Sequence, residues 1–202
     1  MGRREYITNR QKYENPNPIH QLLLRRMLQK SCSFLESLHP ETVLDVGCGQ
    51  GHVLHRVKEL FPEAELHGID TDEEAVSATL SRVPDATLRT MRLQELAGRQ
   101  ESYDLVICME VLEHLERPAV GLRILKDCCQ QAALLSVPWE PWFRLSNLAR
   151  LRHIRRIGNH PEHLQLWSHG GFCRFVSSEF AIQRNETSFP WSIVLATPAG
   201  GD

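Results

Sequence analysis

The stretch Val43-Leu44-Asp45-Val46-Gly47-Cys48-Gly49-Gln50-Gly51-His52-Val53-Leu54 constrains this chain more than any other. An apolar run leads into three glycines at alternate positions, and an apolar-periodic segment follows. That pattern predicts a buried strand, a tight turn and a helix start. Glycines let a backbone take positive φ and approach a ligand closely. The helix start offers unpaired N–H groups and a partial positive charge, which suits a carboxylate or phosphate. A dinucleotide site prefers Gly-x-Gly-x-x-Gly. Here the glycines run Gly-x-Gly-x-Gly, and an acid, Asp45, stands two residues before the first.

The flanking chain alternates in kind. Ile19 to Leu38 has helical apolar spacing, and His39-Pro40-Glu41 ends it. Strands are predicted at Thr42–Val46, Glu65–Ile69, Thr87–Arg92, Tyr103–Cys108 and Ala132–Val137. Helices are predicted at about His52–Leu60, Thr71–Ser81 and Arg117–Gln130, with Asp72, Glu73 and Glu74 in the first turn of the second. Strands alternating with helices imply a parallel α/β sheet. A last helix at Phe172–Phe175 and a hairpin of Ala181–Asn185 with Trp191–Ala196 complete the reading. Residues 1–202 read as one domain, with an N-terminal arm and helix over 1–38 and an insertion over 138–170.

Bulk properties exclude several classes. The 202 residues suit one globular core. A net charge of −2 argues against a generally basic nucleic-acid binder. No apolar run is long enough to span a bilayer. The charged start Met1–Tyr6 lacks the apolar core of a secretory signal. Six cysteines with no Cys-x-x-Cys pair read as reduced thiols, and the expected location is cytoplasmic.

Asp70 closes the second strand, 19 residues after Gly51. A carboxylate there accepts ribose hydroxyls in nucleotide-binding α/β folds. Asp45 is placed to meet a ligand ammonium, directly or through water.

Val43–Leu54, Gly68-Ile69-Asp70 and Tyr103–Leu115 together resemble the class I S-adenosylmethionine-dependent methyltransferases. The last stretch is most similar to the branch with ubiquinone-biosynthesis O-methyltransferases and small-molecule enzymes. The resemblance covers about residues 42–137. It implies a Rossmann-like, seven-stranded, doubly wound α/β sheet, mostly parallel with a C-terminal antiparallel hairpin. It implies S-adenosylmethionine as cofactor, with no metal expected. The implied cofactor residues are Asp45, Gly47, Cys48, Gly49, Gly51, Asp70 and Thr71, with Arg92 and Leu93 near the adenine. Cys108 and Met109 are implied to line the pocket near the methyl group. The chain departs from the family at Arg92, where an acid is common, and at Cys128-Cys129-Gln130-Gln131, where a Pro-Gly-Gly turn is usual.

Glu110, Glu113 and His114 stand at i, i+3 and i+4, which on a helix share a face. Glu110, His114 and the downstream His163 are the candidate catalytic residues, with an imidazole as general base for a hydroxyl acceptor. Glu110, Glu113, His114 and His163 also match the Glu-x-x-Glu-His…His order of the metal-using small-RNA 2′-O-methyltransferases, and that alternative stays open. The plainer alternative has Glu110 and His114 shape the pocket floor without titrating. The insertion carries Trp139, Arg144, Arg152, Arg155 and Arg156. As an amphipathic lid it would face a small-molecule acceptor, anionic or lipid-linked; a solvated helix face is the bland alternative. Tyr13, in the N-terminal arm, is the last candidate for the acceptor side.

The expected function is methylation of a small molecule, at oxygen. The alternatives are metal-assisted methylation of RNA, and a cofactor-binding protein of this fold without catalysis.

Overall fold

The structure, a computed structural model, describes residues 17–139 and 165–200. Helix α1 spans Pro18–Leu35. Asn17 caps it, its side-chain oxygen accepting from the N–H groups of Ile19 and His20 at 2.9 and 3.3 Å. Pro18 takes the first helical position, where its missing N–H costs nothing. Strand β1 is Thr42–Val46 and helix α2 is His52–Leu60. Strand β2, Glu65–Asp70, leads to α3, Glu73–Arg82. That helix starts two residues later than its sequence pattern suggests, because Asp72 serves as its cap and accepts from the N–H of Glu74 at 3.0 Å. Thr71 therefore stays in the loop.

Strand β3, Thr87–Thr90, is short. A 3-10 turn, Leu93–Leu96, separates it from β4, Tyr103–Met109. A second 3-10 turn, Leu112–His114, precedes α4, Pro118–Cys128. Strand β5 runs Cys129–Pro138, three residues earlier than expected. Helix runs into strand with no intervening loop, so the four residues standing in place of a glycine turn belong to the end of α4 and the start of β5. Helix α5 is His169–Val176, and β6 and β7 are Phe180–Ser188 and Trp191–Pro198.

The seven strands form one sheet in the order β3-β2-β1-β4-β5-β7-β6. Pairings among β1 to β5 are parallel, and β7 is antiparallel to both β5 and β6. This is the doubly wound sheet with a terminal hairpin that the sequence implied. Central β4 explains its unbroken apolar run: Leu105 to Cys108 are all fully buried, under both faces of the sheet. One core packs α1 and α2 on one face. The other packs α4 and α5 on the opposite face. Among the described residues no helix is long and apolar enough to cross a membrane. The lid expected over 138–170 lies mostly outside the described residues.

Sheet order reverses between β1 and β4. Open α/β sheets bind ligands in the crevice this reversal leaves beyond the carboxyl ends of the strands.

Candidate active site

The glycine turn lies at that reversal. Gly47 and Cys48 both donate to the carbonyl of Ile69, at 2.8 and 3.0 Å, which ties the turn to the end of β2. Gly49 donates to Asp70 Oδ2 at 2.8 Å, and its carbonyl accepts from Thr79 Oγ1 at 2.7 Å. Gly47 and Gly51 have φ of +76° and +75°. A Cβ at Gly51 would stand 3.1 Å from the Cα of Thr79, and one at Gly47 would collide with Val111 Cγ2. Both positions therefore need glycine twice over, for conformation and for room.

Asp70 is engaged more fully than a free ribose acceptor. Oδ2 holds Gly49, and Oδ1 accepts from the N–H of Asp72 at 3.0 Å. Each oxygen retains a second lone pair. Asp70 also lines the cleft. Asp45 is only 2% exposed, and its Oδ2 has no hydrogen-bond partner. Burial, reinforced by the Asp70 carboxylate, pushes its carboxyl up to about 7.

A cleft of about 710 Å³ opens over this turn. Gly47, Asp70 and Thr71 line it beside Met91, Arg92 and Leu93, and Glu110, Val111 and His114 face them. Arg92 and Leu93 thus line the cleft. Cys48 and Cys108 do not. Both side chains are buried, Cys48 against Gly68 and Cys108 in the core under β4. Burial first, then neighbouring carboxylates, pushes both thiols well above the usual range. Met109 packs into the opposite core. Side chains alternate along a strand, so the cleft wall at the end of β4 passes to Glu110 and Val111 instead.

Glu110 corrects the helical reading of Glu110, Glu113 and His114. It follows the last residue of β4 with φ of +61°, a sparsely populated region for a non-glycine residue. Its N–H donates to the carbonyl of Ser136 at 3.0 Å. Its carboxylate accepts from Trp191 Nε1 at 2.7 Å and from Ser136 Oγ at 3.4 Å. Only Leu112–His114 is helical, and that turn is 3-10, with three residues per turn. Glu113 points inward at 1% exposure, while His114 lines the cleft with its side chain 38% exposed. Their side chains approach to 3.9 Å, His114 Nε2 to Glu113 Oε1. Among the described residues no three His, Cys, Asp or Glu side chains form a group that could hold a metal ion.

Trp139 is half-buried beyond β5. It donates its backbone N–H to Pro190 at 2.8 Å and forms a bridge with Trp167. Tyr13, Arg144, Arg152, Arg155, Arg156 and His163 lie outside the described residues. Sequence reasoning missed Trp191, Ser136 and Thr79. The first two reach Glu110 from strands far along the chain, and no local pattern announces them. Val111 lay inside the recognised stretch, but its contact with Gly47 depends on how the turn folds.

A family model described as a methyltransferase domain matches residues 44–135. Residues 44–135 are a methyltransferase domain. The ubiquinone biosynthesis O-methyltransferase of Neisseria meningitidis serogroup C is 36% identical over 92 residues, 43% of this chain and 38% of that protein. The malonyl-[acyl-carrier protein] O-methyltransferase of Anoxybacillus flavithermus is 30% identical over 80 residues, 39% of this chain and 31% of that protein. The chain thus spans well under half the length of these curated relatives. Among solved structures, the magnesium protoporphyrin IX methyltransferase of Synechocystis, with bound S-adenosylhomocysteine, superposes with a TM-score of 0.71 at 20% identity, covering 94% of this chain and 92% of that one. The plantazolicin methyltransferase BpumL, in complex with a monoazolic desmethylPZN analogue and S-adenosylhomocysteine, superposes with a TM-score of 0.72 at 14% identity, covering 95% and 93%. The likeness in fold to these structures therefore reaches beyond the matched segment.

Proposed function

We propose that this chain transfers a methyl group from S-adenosylmethionine to a small molecule, at oxygen. The observation that carries the reading is the cleft at the β1/β4 reversal, lined by Gly47 of the glycine turn and by Asp70. The residues fit the donor. Gly47 leaves space that a Cβ would fill. Asp70 keeps lone pairs for ribose hydroxyls. Asp45 holds a buried, unpartnered oxygen that an ammonium or a bridging water would satisfy. Met91, Leu93 and Val120 give the cleft apolar walls for a purine.

S-Adenosylmethionine, when bound, supplies an electrophilic methyl group on a sulfonium. The chain's residues align the acceptor for in-line displacement and exclude water. Glu110, fixed by Trp191 and Ser136, orients the acceptor hydroxyl. His114 takes its proton at Nε2. Against a metal-assisted RNA reaction stand the carboxylates themselves: Glu110 is turned toward Trp191 and Ser136, and Glu113 is sealed beneath the surface. The arginines of the insertion favour an anionic or lipid-linked acceptor, and the chain is read as a cytoplasmic protein.

Calorimetry with S-adenosylmethionine tests the reading. Binding is expected in the parent chain and is expected to collapse in Asp70→Ala; a parent chain that does not bind refutes it. A tritiated-methyl transfer screen against extract fractions then identifies the acceptor, and turnover that survives a chelator separates the reaction from the metal-assisted one.

A further inference from the structure

Two carboxylates lie behind the glycine turn, and among the described residues neither has a countercharge paired with it. Asp45 sits next to last in β1, 2% exposed, with Oδ2 unpartnered. Asp70, ending the adjacent β2, has one backbone N–H on each of its oxygens. Those bonds give Asp70 polar partners that Asp45 Oδ2 lacks. Among the described residues no Lys or Arg forms an ion pair with Asp45. The turn contributes the Cys48 thiol, and β4 contributes Cys108, with Glu113 just beyond it. Helix α3 contributes the neutral Thr79 hydroxyl, and α2 opens at His52. Among the described residues neither Asp45 nor Asp70 forms an ion pair.

We propose that the free chain carries Asp45 as a neutral carboxylic acid, and that binding of a ligand bearing an ammonium group expels that proton. The proposal rests on the reading that the cleft takes S-adenosylmethionine, and it adds a chemical event to binding. A buried, lone carboxylate beside a second carboxylate is costly. An arriving ammonium reverses the sign of the local field and makes the ionised form the stable one. No covalent bond changes; the proton leaves Asp45 for solvent.

The direction of the pH dependence follows. Burial and Asp70 place the Asp45 carboxyl at about 7 in the free chain. Below that value a proton must leave for the ligand to bind; above it none is needed. Affinity therefore falls as pH falls through about 7, by up to about tenfold per pH unit, and levels off above.

The test titrates the full chain with S-adenosylhomocysteine, whose amino group and adenosine are those of the methyl donor. Calorimetry at pH 6 in two buffers of different ionisation enthalpy counts the protons released. About 0.9 proton per ligand is expected at pH 6, falling to about 0.1 at pH 8. In Asp45→Asn the release disappears and weakened binding becomes flat with pH. Tight binding by the parent chain with the same heat in both buffers at pH 6 overturns the proposal and leaves the methyltransferase reading intact. No binding at any pH overturns both. If Asp45→Asn does not fold, the two-buffer comparison on the parent chain decides alone.

Discussion

Trp191 Nε1 donates to Glu110 Oε2 at 2.7 Å, joining the first residue of β7 to the residue just after β4. The two are 81 positions apart. Trp191 is 3% exposed, and Glu110 is held at φ of +61°. The indole thus clamps a strained backbone and a cleft-lining carboxylate together.

Trp191→Phe keeps an aromatic ring and removes the donor. A hydrogen bond to a charged group is worth about 1.5–3 kcal/mol. Urea unfolding is expected to show a loss of that order, and the loss should shrink in a Glu110→Gln background. Equal losses in both backgrounds would mean that the indole acts only through packing.

Gly51 and Gly98 offer a matched comparison, because φ is +75° at one and +77° at the other. A Cβ at Gly98 meets nothing within 4 Å, whereas one at Gly51 presses on Thr79. Gly98→Ala is expected to cost about 1 kcal/mol, the conformational penalty alone. Gly51→Ala adds a clash with backbone and should cost at least about 2 kcal/mol while weakening S-adenosylhomocysteine binding. Thermal unfolding and calorimetry on both variants check this. Similar losses at the two sites would refute the steric half of the argument.

Asp45→Asn is expected to stabilise the free chain at neutral and higher pH. The carboxyl moves from about 3.8 to about 7 on folding. Its contribution to stability therefore falls as pH rises from about 3.8 to about 7 and stays low above that. Removing the charge should raise the unfolding free energy by on the order of 4 kcal/mol at pH 8 and by little at pH 4. An unfolding series at pH 4, 6 and 8 measures the difference, which should grow with pH.

Glu101 provides the opposite slope. Arg89 donates to both its oxygens, at 2.8 and 2.6 Å, and Tyr103 to one at 3.0 Å. The Arg89 hydrogen bonds, with Tyr103 assisting, hold the Glu101 carboxyl down at about 2. Stability from this group is present above about 4.5 and is lost as pH falls toward 2. Arg89→Met should remove on the order of 1 kcal/mol at pH 6, allowing for solvent screening, and flatten the acid limb between those values. An unchanged acid limb would show that the network contributes nothing.

How much of the site was legible differs residue by residue. The turn through Gly47, Gly49 and Gly51, all at positive φ, is legible because a glycine turn between a strand and a helix is a local requirement, written within a dozen residues. Glu110 was found as a candidate but placed wrongly. Its i, i+3 spacing to Glu113 suggested a shared helix face, yet β4 runs to Met109 and Glu110 takes positive φ to leave it. Cys108 and Met109 were read as cleft-lining because they end the right strand. Strand alternation and the two cores claimed their side chains instead.

The sequence by itself determined the order of strands and helices, the glycine turn and the acid that closes β2. Each depends on hydrophobic period, turn chemistry and capping, which act over a few residues. Tertiary structure alone decided that β7 would lie antiparallel beside β5 and bring Trp191 and Ser136 to Glu110. It also decided that Asp45 would be sealed beside Asp70 with no partner for one oxygen. Those relationships come from sheet register and burial, which bring distant residues together and exclude water, and no short window of sequence records either.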